Sequence, residues 1–268
     1  MSKTQRSALL TFFALTFGWT WGLWAIVTFQ GLGLTGLGAA LLLASAFGPS
    51  LAAVITVLAF EGQAGFGLWL RRSLRLRVGW LWSAVALLVP PLLILAALGI
   101  HAGLGGVLPP SSLQGNTLTA ILVFVQITLL GGPLGEEFGW RGYALPALAA
   151  PIGWRWGAVV VGGVWAFWHL PLFYMAGMAQ ANLPMELFMA SNIALSIVFA
   201  RLSVNTRFSV LPAILLHGAI NWSAIVLPVM PVDGETRPYT IAVALLIVAA
   251  VIAMLIPGPP DAQRGNPT

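Results

Sequence analysis

Hydrophobic residues in this chain occur in long continuous runs that are almost free of charge. Each run is near the ~20 residues that an α-helix needs to cross ~30 Å of hydrocarbon. The runs lie at residues 8–30, 37–60, 79–100, 118–144, 156–176, 184–200, 208–228 and 239–256. A transmembrane β-barrel would instead show segments of about ten residues with alternating hydrophobicity. The pattern therefore predicts an all-α polytopic membrane bundle of about eight transmembrane helices.

The composition supports the same class of protein. Hydrophobic residues make up 59% of the 268 residues and charged residues 7%, and the mean hydropathy is +0.94. These values exclude a soluble globular domain, which carries far more charged residues. The sequence contains no cysteine, which excludes disulfides and thiolate chemistry. We predict one integral membrane domain over residues 1–268, with a motif-bearing core at about 118–228 and a disordered tail at 257–268.

The basic residues predict how the chain is oriented. The pI is about 10.8, but the basic residues lie in short loops and form no continuous groove, which argues against a nucleic-acid partner. Threading eight spans from a cytoplasmic N-terminus places ten basic residues inside: Lys3, Arg6, Arg71, Arg72, Arg75, Arg77, Arg155, Arg201, Arg207 and Arg264. Arg237 falls outside and Arg141 stays within the membrane. The positive-inside rule then predicts that both termini lie in the cytoplasm. We expect an integral protein of the bacterial cytoplasmic membrane.

Two segments depart from the regular pattern of spans. Residues 65–77 are short and carry four arginines among leucine and tryptophan, which suits a helix lying on an anionic leaflet and suits a solvated basic loop equally well. Pro133, Pro146 and Pro151 lie in and just after the fourth run, and they predict that this span is kinked or broken.

Two adjacent carboxylates, Glu136 and Glu137, lie in the middle of the fourth run. An unpaired carboxylate costs at least ~2.5–3.5 kcal/mol at the centre of a transmembrane helix, so such residues face the protein interior and mark a function. Arg141 follows Glu137 at i+4 on the same helical face, which predicts a salt bridge. Glu136 points about 100° away and needs another partner. The structural alternative is an ion pair that holds two helices together.

Two later runs each carry one histidine. His169 lies near the end of an aromatic-rich stretch that starts at Trp165, and His217 shares a helical face with Asn221 at i+4. Each histidine alone is also explained as a hydrogen-bonded packing residue. The third histidine, His101, lies in a Gly-rich segment that resembles a loop, and we interpret it as incidental. The two glutamates, His169 and His217 lie in three different spans. A helical bundle could bring these spans together at one site.

This set of side chains favours activation of a water molecule. Ser191, Ser196 and Ser223 have no base at a suitable spacing, so covalent catalysis by serine is not indicated. The water could be activated by a carboxylate base or by a metal held by His and Glu side chains. Asn221 could donate a hydrogen bond to the oxyanion of a tetrahedral intermediate.

Three motifs occur in order: E-E-x-x-x-R from Glu136, aromatic-x-x-x-H ending at His169, and H-x-x-x-N from His217. Together they resemble the CAAX-protease and bacteriocin-processing family of intramembrane proteases, to which the Ras-converting enzyme belongs. The resemblance implies an eight-helix bundle whose catalytic cavity lies within the membrane and opens toward the cytosol. Residues 48–52 (GPSLA) resemble a helix-packing feature of that family. The second motif often begins with Phe, and we interpret Trp165 in that place as a variation in packing.

The resemblance also implies catalytic roles for six residues: Glu136, Glu137, Arg141, His169, His217 and Asn221. Glu136 with His169 would activate the water, and His217 with Asn221 would stabilise the oxyanion. Glu137 and Arg141 would hold the geometry of the site.

The resemblance is compatible with a metal-dependent and with a glutamate-type enzyme. Zn²⁺ or another divalent metal would take Glu136, His169 and His217 as ligands, and two His with one Glu form a known catalytic zinc set. Without a metal, Glu136 would be the general base. We favour this second mechanism because Asn is a poor zinc ligand.

The predicted function is an intramembrane endopeptidase that hydrolyses a peptide bond of a membrane-associated or lipidated substrate. A prenylated CAAX-type C-terminus and a leader peptide are both candidate substrates, and membrane lipid is the expected surrounding partner. One alternative is a non-catalytic scaffold on the same fold, against which the complete set of motif residues argues. The other is a proton-coupled transporter, against which the lack of paired broken helices in corresponding halves argues.

Overall fold

The computed structural model describes residues 1–108 and 116–259, and its regular structure is helical. The α-helices in these residues are α1 Lys3–Phe29, α2 Gly36–Ala46, α3 Gly48–Ser73, α4 Trp80–Gly103, α5 Thr117–Leu130, α6 Pro133–Gly139, α7 Leu145–Trp168, α8 Met185–Asn205, α9 Leu211–Val226 and α10 Arg237–Leu255. Six segments are long and apolar enough to cross a membrane, and α2 and α9 are shorter apolar helices. The prediction of an all-α polytopic membrane bundle is confirmed. Most of the predicted tail at 257–268, with Arg264, lies outside the described residues.

The predicted span 37–60 is divided into two helices at Phe47. Pro49 lies in the first turn of α3, where the missing backbone N–H removes no helical hydrogen bond. Within α3 the chain bends at Gly62, whose φ of 67° lies in the left-handed region that favours glycine. The helix then continues to Ser73, so residues 65–73 of the basic segment are helical. That this helix lies on an anionic leaflet stays a prediction.

The predicted span 118–144 is broken, as its prolines indicated. Gly132, with a φ of 115°, turns the chain between α5 and α6, and α6 begins at Pro133. A π-helical turn, Trp140–Ala144, joins α6 to α7, and α7 bends at Gly153. Such π-turns inside helices are frequent at functional sites. The two breaks give the adjacent glutamates a short helix of their own, which need not follow the direction of α5.

This short helix α6 packs closely on the junction between α2 and α3. A Cβ atom at Gly139 would overlap the backbone of Pro49, so the two segments are in direct backbone contact. The hydroxyl of Ser50 donates to the carbonyl of Leu134 at 3.2 Å. The Gly-Pro-Ser stretch is therefore a packing surface for the helix that carries the glutamates.

Basic residues gather at one end of the bundle. The backbone N–H of Val210, just before α9, donates to the carbonyl of Ser73 at the end of α3 at 3.0 Å. Nη1 of Arg201, near the end of α8, donates to the carbonyl of Pro257 just after α10 at 2.8 Å. Arg155 donates to carbonyls at the same end of α10. The basic segments predicted to lie inside the cell thus meet at the same end.

Arg237 lies at the opposite end, where it contacts His101. Since α4 extends to Gly103, His101 lies in the last helical turn, and its predicted place in a loop is wrong. The side chain is 1% exposed. Its Nδ1 accepts a hydrogen bond from Nε of Arg237 at 3.1 Å, and its Nε2 lies 3.4 Å from the carbonyl of Val107. His101 therefore joins α4 to the start of α10.

Candidate active site

The two adjacent carboxylates on α6 are both buried, and each has its own partners. Glu136 is 5% exposed and Glu137 is 0% exposed. Oε1 of Glu137 accepts hydrogen bonds from Nη1 of Arg141 at 3.0 Å and from Nδ1 of His217 at 2.8 Å. Oε2 of Glu136 accepts the indole N–H of Trp165 at 2.7 Å. The predicted salt bridge with Arg141 is confirmed, as is the divergence of the two carboxylates.

Arg141 is held between two aromatic rings. Its Cζ lies 4.4 Å from the ring centroid of Trp165 and 3.9 Å from that of Phe199. A guanidinium placed over aromatic faces is attracted by the ring quadrupole, more strongly when it is desolvated. Within the described residues, Nε and Nη2 of Arg141 and Oε2 of Glu137 have no hydrogen-bond partner. The ion pair is thus fixed by a few strong contacts in an otherwise apolar setting.

The hydrogen bonds of the two histidines define their tautomers. Nδ1 of His169 lies 2.8 Å from the carbonyl of Trp165, and a carbonyl can only accept, so Nδ1 carries the proton. Nδ1 of His217 donates to the carboxylate of Glu137 by the same reasoning. In the neutral rings Nε2 is then left as an unprotonated nitrogen. Both histidines can therefore offer Nε2 to a reacting group.

Aromatic rings enclose both imidazoles. The ring of Trp165 makes edge contacts with His169 at 5.6 Å and with His217 at 5.5 Å between centroids. Trp168 contacts His169 at 4.8 Å, and Phe199 contacts His217 at 5.9 Å. Trp165 contacts Glu136, both histidines and Arg141, so it lies at the centre of the cluster.

This central position corrects the interpretation of Trp165 as a variation in packing. Its N–H donates a hydrogen bond to a buried carboxylate, which a phenylalanine cannot do. The signal available in the sequence was the spacing: a residue four positions before His169 lies on the same helical face. A Trp with a donor group in that place is a candidate site residue.

Asn221 is the least connected of the six predicted site residues. It is half-buried on α9, one helical turn beyond His217. Within the described part of the chain, its side chain makes no hydrogen bond. Five predicted site residues are thus joined to one another directly or through Trp165, and the oxyanion role of Asn221 stays a prediction.

A catalytic zinc ion would need three side-chain ligands directed at one point. The tautomers suit a metal, because each imidazole donates its other N–H to an oxygen, as metal-ligating histidines do. Among the described residues, however, no group of three or more His, Cys, Asp or Glu side chains is arranged to hold a metal ion. Glu136, His169 and His217 do not form a ligand set as they stand. The metal-dependent alternative stays a prediction.

Fold and site together define a polytopic helical membrane protein with a buried carboxylate–imidazole cluster. Residues 117–223 match the family described as "Type II CAAX prenyl endopeptidase Rce1-like". This segment contains all six predicted site residues, and the match confirms the resemblance to the CAAX-protease family that the three motifs carry.

A curated relative extends the similarity beyond that segment. The CAAX prenyl protease 2 of Methanococcus maripaludis is 25% identical over 175 residues, which cover 63% of this chain and 64% of the relative. The chain thus matches slightly less than two thirds of the length of this relative.

Proposed function

We propose that this protein is an intramembrane endopeptidase whose site is centred on Glu136. The observation that carries the proposal is the convergence of the three motifs, from three separate helices, on Trp165. Glu136, His169 and His217 all contact this residue. A structural ion pair would account for Glu137 and Arg141, but it leaves unexplained the burial of Glu136 against Trp165, which also contacts both imidazoles. Buried ionisable groups of this kind inside a membrane protein mark functional sites.

In the proposed reaction Glu136 is the general base. It takes a proton from a water molecule that is also oriented by Nε2 of His169, and the water oxygen attacks the carbonyl carbon of the peptide bond. The resulting tetrahedral intermediate carries an oxyanion. When it collapses the C–N bond breaks, and Glu136 returns the proton to the leaving amine. The products are a new carboxylate terminus and a new amino terminus.

His217 is the proposed donor to the oxyanion, with Asn221 beside it. Donation from Nε2 requires that this nitrogen also carry a proton, which makes the ring an imidazolium. The carboxylate of Glu137 accepts from Nδ1 at 2.8 Å and fixes the orientation of this ring. Arg141 shares the same carboxylate oxygen and keeps it in place. Glu137 and Arg141 are thus positioning residues in this mechanism.

The proposed substrate is a lipidated peptide or protein that reaches the site from the membrane. The matching family is described as a prenyl endopeptidase and the matching relative is named a CAAX prenyl protease, which supports a prenylated CAAX-type C-terminus. We also propose that the basic end of the bundle faces the cytoplasm, because basic residues concentrate in cytoplasmic loops.

Cleavage of a defined peptide tests the proposal. The purified protein in liposomes is incubated with a farnesylated CAAX-type peptide and with the same peptide lacking the lipid, and products are identified by mass spectrometry. Glu136→Gln should lower the rate by about 10²- to 10⁴-fold, the usual contribution of a general base. Glu186→Gln, the same change at an exposed position on α8, is the matched control. Full activity of Glu136→Gln would disprove this mechanism.

A further inference from the structure

A cavity that is lined by none of the six predicted site residues opens at the basic end of the bundle. Its volume is about 600 Å³, and it lies between the start of α1, the second half of α3 and the start of α7. Three arginines and one glutamate line it: Arg71, Arg72, Arg75 and Glu61. Apolar side chains such as Leu68 form another part of its wall. The cavity therefore combines an excess of positive charge with an apolar surface.

Several hydrogen-bond donors in this cavity are free. Nε of Arg72 is buried and has no hydrogen-bond partner within the described residues. The guanidinium groups of Arg71 and Arg75 likewise make no hydrogen bond or ion pair within the described residues. The hydroxyl-bearing side chain of Tyr143 also lines the cavity. Like charges held close together repel, and Arg72 and Arg75 are within electrostatic reach of each other, although the carboxylate of Glu61 offsets part of that repulsion at Arg72. An anion placed between them would relieve that repulsion.

The chemistry of the donors indicates which anion fits. Arginine presents a planar fork of N–H groups that matches phosphate oxygens in a bidentate manner. Basic pockets between membrane helices on the cytoplasmic side are suited to lipid headgroups. We propose that this cavity binds an anionic phospholipid, with its phosphate at Arg71, Arg72 and Arg75 and an acyl chain along the apolar wall. This proposal uses none of the catalytic residues and is independent of the proposed function.

The bound lipid would also stabilise the turn that carries Arg141. Nη2 of Arg72 donates to the carbonyl of Gly142 at 2.7 Å, and the indole N–H of Trp69 donates to the same oxygen at 3.1 Å. Gly142 follows Arg141 directly in the π-helical turn. A phosphate that holds the guanidinium of Arg72 would thereby hold this turn as well.

Native mass spectrometry and thermal unfolding of the full chain test the proposal. The protein is exchanged into phosphatidylcholine nanodiscs that contain or lack phosphatidylglycerol, and retained lipids are counted after release. The test variant is R71Q/R75Q, whose side chains make no hydrogen bond within the described residues. The control is R6Q/R77Q, which removes the same charge from exposed positions that do not line the cavity. A third arm adds inorganic phosphate to protein in phosphatidylcholine alone.

We expect wild type and R6Q/R77Q to retain phosphatidylglycerol and to unfold at a higher temperature in its presence. R71Q/R75Q should bind it about tenfold or more weakly, because each arginine near an anionic headgroup contributes to attraction. An equal loss in both double variants would overturn the proposal, since the effect would then be general surface charge. Equal binding of phosphatidylcholine would overturn it too. Equal protection by inorganic phosphate would overturn the assignment to a lipid.

Discussion

The indole N–H of Trp165 donates a 2.7 Å hydrogen bond to Oε2 of Glu136, which lies 29 residues earlier in the chain. The carbonyl of the same tryptophan accepts the Nδ1 proton of His169 at 2.8 Å. One residue on α7 thus sets the direction of the carboxylate on α6 and the tautomer of the imidazole that follows it. Both effects are those that a general base and its partner require.

Trp165→Phe should reduce catalysis without removing the aromatic packing. The change deletes one hydrogen bond to a buried carboxylate, worth about 1.5–3 kcal/mol for a charged acceptor, which corresponds to roughly a tenfold to hundredfold loss in kcat/KM. The backbone bond to His169 is kept. Trp168→Phe is the matched control, because its indole N–H has no partner within the described residues. Steady-state cleavage of a prenylated peptide measures both variants, and equal rates in the two would contradict the prediction.

Glu137→Gln should destabilise the fold because it removes the carboxylate that is paired directly with the buried Arg141 at 3.0 Å. Breaking a buried ion pair by removing one partner costs about 3–5 kcal/mol. The same substitution at Glu235 affects an exposed pair with Arg237 at 3.9 Å and should change little. Thermal unfolding in detergent, followed by circular dichroism, compares the two variants. A similar melting temperature for both would show that the buried pair does not stabilise the protein.

Gly139→Ala should displace α6 from the α2–α3 junction. The new Cβ would overlap the backbone of Pro49, which cannot move as a flexible side chain can. Overpacking of this kind costs typically 1–3 kcal/mol. At Gly163, on α7, a Cβ meets nothing within 4 Å, so Gly163→Ala should be neutral or stabilising by up to about 1 kcal/mol. The yield of folded protein and the melting temperature are compared for the two variants. If Gly139→Ala leaves both unchanged, α6 is not packed closely against the α2–α3 junction.

Elemental mass spectrometry should find less than one transition metal per chain in protein purified without chelators. The reason is the arrangement of the side chains, since no three-ligand group is formed among the described residues. Wild type is compared with His217→Ala, and activity is measured with and without a chelator. One zinc per chain that is lost in His217→Ala would establish the metal-dependent alternative.

The sequence by itself determined the features that depend on local spacing or on composition. Long apolar runs can only be satisfied as helices in lipid, so they determine the fold class. The i, i+4 spacing of Glu137 and Arg141 places them on one face in any helix, so their pairing follows directly. The breaks near Pro133 and Pro151 were also foreseeable, because proline removes helical hydrogen bonds.

Contacts between helices were decided only by the tertiary structure. His217 reaches Glu137 across 80 residues, and no local rule specifies which of several apolar helices will be neighbours. The role of Trp165 likewise depends on α6 being turned toward α7, and the packing of His101 depends on where α10 begins. Periodicity determines which face of a helix a residue occupies, whereas close packing between helices determines what that face meets.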